Sequence, residues 1–149
     1  MSTHSPIPFG PKLLGPLGLA PFFASAAAVG FAPEPWAGWG DLSLIGYGAV
    51  ILSFLGGVRW GRYLTVDPAP GLAAWTASIA PSLLGWVAVL AHDAPRVACA
   101  LLIAGFTAQY LWDRRTAKAG GLPAWYGRLR TLLSLGAITA LAIGWILAA

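Results

Sequence analysis

The chain has 149 residues, of which 58% are hydrophobic and 9% are charged, and its formal net charge is +4. Soluble domains carry about 25% charged residues, so this composition excludes an ordinary soluble domain. The basic residues flank apolar stretches and form no separate basic domain, which argues against nucleic-acid binding. Five long stretches without charge predict membrane-spanning helices, because about 20 apolar residues of helix cross a bilayer core.

The predicted elements, in chain order, are a tail and five spans. Residues 1–12 contain three prolines and are predicted to be a disordered or interfacial N-terminal tail. Residues 13–149 are predicted to form a single all-α membrane domain, a five-transmembrane-helix bundle. Its spans are expected at about residues 13–33, 42–60, 70–91, 97–112 and 130–148. An alternative is cleavage of span 1 as a signal peptide at the small residues 24–26, which would leave four spans.

The basic residues predict the orientation of the bundle. With the N-terminus in the cytoplasm, eight of the nine Lys and Arg residues fall on that side and only Arg96 falls outside. Because short basic loops stay cytoplasmic, we expect an N-in, C-out arrangement. The predicted location is the bacterial inner membrane, as a multi-pass protein, or the mitochondrial inner membrane if the protein is eukaryotic.

Prolines interrupt spans 1 and 3, at Pro16, Pro21 and Pro81. A proline inside a helix frees a backbone carbonyl, and in a membrane a neighbouring group must satisfy it. Near Pro81, the hydroxyls of Ser78 and Ser82 are the expected partners. A broken helix can also mark a transport site. No charged residue lies near either break in the sequence, which favours the packing interpretation.

Span 2 carries small residues that share a helical face. A face without large side chains lets another helix approach closely, which favours helix packing in membranes. Two interpretations stay open: packing within this chain, or an interface with a membrane-protein partner or a second copy. The members of this small-residue face are Gly46, Ala49, Ser53, Gly56, Gly57 and Gly61.

Arg59 lies about one helical turn inside the basic loop after span 2. A charged side chain at that depth must pair or reach the interface. Span 4 is shorter than the bilayer core, so Asp113 is expected at its edge, with Gln109 four residues earlier on the same face. We therefore predict an ion pair between Arg59 and Asp113 at the cytoplasmic boundary. The alternative is that the two side chains are separately hydrated.

The cytoplasmic rim is predicted to carry a cluster of basic residues. Arginine pairs with phosphate in a bidentate manner, and basic pockets between helices bind anionic headgroups. The alternative is that these charges only set the topology. The residues expected to contact anionic lipid are Arg62, Arg114, Arg115, Lys118, Arg128 and Arg130.

The sequence contains no nucleophile elbow, no phosphate-binding loop and no metal-ligand spacing. We therefore predict no catalytic residues, no enzyme activity, no metal and no cofactor. The expected partners are the bilayer, with anionic lipid among them, and a membrane protein or a second copy of the chain.

Three segments resemble the transmembrane protein 69 family: LSFLGGVRWG at residues 52–61, QYLWD at 109–113 and WYGRLR at 125–130. The resemblance covers most of the chain. That family contains bacterial and mitochondrial integral membrane proteins of unknown function. The resemblance therefore implies an inner-membrane protein and assigns no reaction and no site residues.

Three functions follow as hypotheses. The first is a structural, assembly or accessory factor that packs through the small-residue face. The second is a small transporter or channel that acts as an oligomer. The third is an anionic-lipid-binding protein at the basic rim. The polar residues expected to line a transport pathway are Ser53, Ser78, Ser82, Thr107 and Gln109.

Overall fold

A computed structural model describes residues 6–148, and within that range the chain is all-helical, with no strand. The helices in chain order are α1 (Phe9–Leu17), α2 (Ala20–Phe31), α3 (Trp36–Tyr63), α4 (Leu72–Leu90), α5 (Pro95–Lys118) and α6 (Ala124–Leu147). Four stretches are long and apolar enough to cross a membrane: α1 with α2 as Phe9–Phe31, then α3, α4 and α6. Helix α5 has 24 residues but carries charged side chains toward both of its ends.

The N-terminal region is helical from Phe9, four residues before the expected start of span 1. Pro11 does not prevent this, because it lies in the first turn, where backbone N–H groups have no partner within the helix. Residues 9–12 of the predicted tail therefore belong to α1. Residues 1–5 of that tail lie outside the described residues.

The interrupted span 1 is divided into α1 and α2 at Gly18 and Leu19, between the two prolines of this span. The hydroxyl of Tyr47 on α3 donates a hydrogen bond of 2.9 Å to the carbonyl oxygen of Gly18. A neighbouring helix thus satisfies one backbone carbonyl of the break, as irregular backbone at membrane depth requires.

Helix α3 is the centre of the bundle and packs against α2, α4, α5 and α6. Leu44 and Leu52 on α3 are fully buried, as are Leu102 on α5 and Leu141 on α6. The ring of Phe22 on α2 packs edge-on against aromatic rings of α3 and α5. Because α3 touches four other helices, the polar side chains near its end at Tyr63 lie between several helices.

The small-residue face of α3 is divided between the interior and the outside. A Cβ atom added to Gly56 would lie 2.6 Å from the carbonyl oxygen of Ser78, so α3 and α4 touch there backbone to backbone. The hydroxyls of Ser53 and Ser82 are 2.9 Å apart. Ala49 contacts α4 at Gly85, where an added Cβ would lie 3.0 Å from the Ala49 carbonyl oxygen.

The other three members of the face point away from these contacts. A Cβ added to Gly46, Gly57 or Gly61 would meet no atom of residues 6–148 within 4 Å. The packing of this face within the chain therefore involves Ala49, Ser53 and Gly56 only.

The substitution Gly56→Ala tests this division. We expect it to destabilise the protein by about 1–3 kcal/mol, because the new methyl group would clash with backbone of α4 and force the two helices apart. The matched control is Gly57→Ala, which adds the same methyl group to open space one residue later. Thermal unfolding in detergent measures both, and equal midpoints for the two variants would contradict the packing.

Candidate functional site

Arg59 lies near the end of α3 and is only 7% exposed. The close approach of α4 at Gly56 brings the guanidinium within reach of the α4 backbone. Its Nη1 donates a hydrogen bond of 2.9 Å to the carbonyl oxygen of Ala77. This carbonyl lies four residues before Pro81, so it is the one that the proline leaves without a helical partner.

The expected serine partners of the freed carbonyl are engaged elsewhere. The hydroxyl of Ser78 donates to the carbonyl oxygen of Trp75, and Ser82 bonds to Ser53. The expectation that a serine satisfies the break at Pro81 is therefore wrong, and a charged residue from the neighbouring helix does so.

Arg59 also binds α5 in two ways. Its Nη2 donates a hydrogen bond to Oε1 of Gln109. Its guanidinium carbon lies 4.1 Å from the ring centroid of Trp112, which is a cation–π contact. One side chain of α3 thereby joins α4 and α5.

The carboxylate of Asp113 forms an ion pair with Arg130 on α6 and not, as predicted, with Arg59. The Nε atom of Arg130 lies 2.6 Å from Oδ2 of Asp113. Asp113 is 1% exposed and Arg130 is 5% exposed. Arg59 is held instead by Gln109, one turn earlier on the same face of α5.

We call Arg59, Gln109, Asp113 and Arg130 the buried polar network. It contains two guanidinium groups and one carboxylate, so it has one positive charge in excess. One atom of each member is buried without a hydrogen-bond partner: Nε of Arg59, Nε2 of Gln109, Oδ1 of Asp113 and Nη2 of Arg130. Since buried polar groups are normally hydrogen-bonded, these atoms mark a place for water or a ligand.

The residues predicted to contact anionic lipid differ in their burial in the structure. Arg130 is buried in the network, so its assignment to the lipid-contacting set is corrected. Arg62 is half-buried, and its Nε donates a hydrogen bond of 2.9 Å to the carbonyl oxygen of Gly121. The exposed members of the set are Arg114, Arg115, Lys118 and Arg128.

Two grooves at this end of the bundle contain the basic side chains. The α5–α6 groove, of about 420 Å³, is lined by Arg114, Lys118 and Arg128, together with Tyr110 and Thr131. A second groove, of about 350 Å³, contains Arg62 and Arg115.

Two further spaces adjoin the buried polar network. The α4–α5 groove, of about 530 Å³, has Arg59 and Gln109 as its polar lining residues. A cavity of about 330 Å³ among α1, α2, α3 and α6 is lined mainly by apolar side chains, and Arg130 is the charged residue of its lining. Within residues 6–148, no group of three His, Cys, Asp or Glu side chains is placed to hold a metal ion.

The polar residues expected along a transport pathway form hydrogen bonds with other groups of the bundle. Ser53 and Ser82 bond to each other, Thr107 donates to a carbonyl of its own helix, and Gln109 binds Arg59. Of the five expected residues, only Gln109 lines the α4–α5 groove.

The comparisons with known proteins identify a family and a relative and give no activity. The model of a family described as a protein of unknown function, DUF3429, matches residues 7–146. Transmembrane protein 69 of Xenopus tropicalis is 34% identical over 135 residues, which cover 86% of this chain and 50% of the relative. The chain thus spans about half the length of that curated relative. No solved structure matches the chain.

Substitution of Asp113 by Asn tests the buried polar network. We expect a loss of about 3–5 kcal/mol of stability, because two arginines would remain buried without a carboxylate. The control is Asp67→Asn, which changes an exposed carboxylate in the loop between α3 and α4. Unfolding in detergent is the measurement, and a stable Asp113→Asn variant would show that the ion pair contributes little.

Proposed function

The chain belongs to the DUF3429 family of unknown function, and we propose that it is a multi-pass inner-membrane protein that binds anionic lipid headgroups at the α5–α6 groove. It is a transmembrane protein by its apolar helices and by its relative. The observation that carries the proposal is the convergence of Arg114, Lys118 and Arg128 on one groove.

We further propose that α5 is a fifth crossing, with the N-terminus inside and the C-terminus outside. Helices α5 and α6 lie antiparallel and are joined at both ends. Near the start of α5, Nη2 of Arg96 donates a hydrogen bond of 2.9 Å to the carbonyl oxygen of Ala148. Near its end, Asp113 meets Arg130. If α6 spans the bilayer, its full-length neighbour α5 spans it too, at about 1.5 Å per residue.

The composition of the α5–α6 groove suits a phosphate group. Its lining includes three basic side chains and no acidic one. Arg114 and Thr131 both donate to the hydroxyl oxygen of Tyr110, at 3.3 Å and 3.5 Å, so the two helices share one polar surface there. The groove also lies at the first turn of α6, where the positive end of the helix dipole favours an anion. Basic pockets between helices at this membrane face bind anionic headgroups.

The hypothesis of an accessory role rests on fewer residues of the small-residue face than the sequence suggested. Ala49, Ser53 and Gly56 pack against α4 within the chain, so a partner helix has only the open positions to approach. These are Gly46, Gly57 and Gly61. The transporter hypothesis has less support than lipid binding, because the polar residues expected along its pathway form hydrogen bonds within the bundle.

Charge removal in the α5–α6 groove tests lipid binding. In nanodiscs of phosphatidylcholine with a minor fraction of phosphatidylglycerol, we expect the protein to enrich phosphatidylglycerol around itself. The double variant Arg114→Gln/Lys118→Gln should lose most of this enrichment, because about 1 kcal/mol is lost per basic residue near an anionic surface. Native mass spectrometry of the released complexes counts the bound lipids.

The matched control for this experiment is Arg115→Gln. Arg115 is exposed on the same helix but lines the other groove. We expect this variant to retain most of the enrichment. Equal losses per charge in the two variants would show that the rim attracts lipid without a specific groove.

The five-crossing topology is tested by labelling of single cysteines introduced at the two ends of α5, after Cys99 is changed to Ala. With Arg96→Cys and Lys118→Cys, we expect a membrane-impermeant thiol reagent to label the first from outside the cell and the second only after permeabilisation. Labelling of both from one side would reject the fifth crossing.

A further inference from the structure

Arg59 is the member of the buried polar network that lacks a counterion. Asp113 is engaged by Arg130 at 2.6 Å, and within residues 6–148 Arg59 forms no ion pair. Its two terminal nitrogens donate to neutral oxygens, on Ala77 and Gln109. An uncompensated buried cation is unfavourable, so the site favours an anion beside Arg59.

Of the four unpartnered atoms of the network, the two on residues that line the α4–α5 groove are donors. Nε of Arg59 and Nε2 of Gln109 are both buried N–H groups without an acceptor. Arg59 is 7% exposed and Gln109 is 2% exposed. These two residues are the polar part of the α4–α5 groove. Both donor atoms are covered, so a ligand head that displaces the side chains over them would gain two donors beside one positive charge.

The rest of the α4–α5 groove is apolar and reaches the outer surface of the bundle. Its lining includes Pro81, Leu84 and Ala108. Leu83 and Val87 on the same lining are 57% and 43% exposed, so the groove is open toward the surrounding lipid. Its volume of about 530 Å³ lies within the ~300–1,000 Å³ range of small-molecule sites.

We propose that the α4–α5 groove binds a long-chain fatty acid, with its carboxylate on Arg59 and Gln109 and its hydrocarbon chain along α4. A carboxylate is a planar monoanion with two acceptor oxygens, which matches one excess charge and two unpartnered donors. A phospholipid phosphate is a diester with a group on each side, whereas a fatty-acid carboxylate is the end of its chain and can approach buried donors end-on. The site is separate from the α5–α6 groove and does not depend on lipid binding there.

Spin-labelled stearic acid tests the proposal in nanodiscs of phosphatidylcholine that contain the full chain. We expect a saturable, motionally restricted fraction in the electron paramagnetic resonance spectrum, at about one molecule per protein. Oleate should displace it with an affinity at least about tenfold higher than that of oleyl alcohol, which has the same chain without the charge. Equal competition by the two would overturn the carboxylate assignment. Displacement by phosphatidylglycerol as effective as that by oleate would overturn it too.

The variant Gln109→Glu separates ligand binding from stability. The new carboxylate keeps an acceptor for Arg59 and gives it a counterion, but it removes the Nε2 donor and repels a fatty-acid head. We expect the affinity for oleate to fall by about tenfold or more, while the midpoint of thermal unfolding stays the same or rises. Unchanged oleate binding in this variant would refute the proposal.

A second pair of variants tests the groove itself. Ala108→Phe fills the α4–α5 groove and should abolish the restricted fraction, whereas Thr107→Phe, on the neighbouring exposed position outside the lining, should preserve it. Binding retained in Ala108→Phe would place the fatty acid elsewhere. The variant Lys118→Gln in the α5–α6 groove should bind oleate as the parent protein does. Failure of the fatty-acid proposal is therefore distinguishable from failure of the proposal that anionic lipid binds in the α5–α6 groove.

Discussion

The hydrogen bond from Arg59 to the carbonyl oxygen of Ala77 is the contact on which this end of the bundle depends. Pro81 leaves that carbonyl without a helical partner, and Arg59 is a cation too deep to be fully hydrated. Each group satisfies the other, so two unfavourable features of neighbouring helices become one favourable contact. In a bilayer, where apolar surfaces gain little by associating with each other, such polar contacts and close backbone packing hold helices together. Gly56 permits the approach that the hydrogen bond requires.

Further polar contacts join the helices at the end of the bundle that carries Arg59. Once Arg59 is held by α4 and Gln109, the carboxylate of Asp113 is left to Arg130, which joins α5 to α6. Polar contacts therefore join α3 to α4 and α5 through Arg59, and α5 to α6 through Asp113. The α4–α5 groove shares Arg59 and Gln109 with these contacts, whereas the lining of the α5–α6 groove includes none of the four network residues. The fatty-acid site that we propose therefore uses residues that also hold the helices together.

Long uncharged stretches were sufficient to predict α3, α4 and α6, and the prolines of span 1 predicted the interruption between α1 and α2. The partner of Asp113 was not predictable in the same way, because several arginines lie at the same membrane face and only the packing order of the helices selects one. A signal for Arg130 was present: it is spaced with Ser134, Ala137 and Leu141 at helical intervals, and all four are buried. Its neighbour Arg128 lies off that stripe and is exposed. A proline identifies which carbonyl is free, but the sequence does not reveal which donor will reach it.

The break at Gly18 and Leu19 separates two segments of very different importance to the assembly. Helix α1 has no buried residue, whereas α2 has four, among them Phe22 in the aromatic contact with Phe106. The first segment therefore lies against α6 without entering the core, whereas the second forms part of the core. We expect substitutions in α1 to disturb the remaining helices less than comparable substitutions in α2.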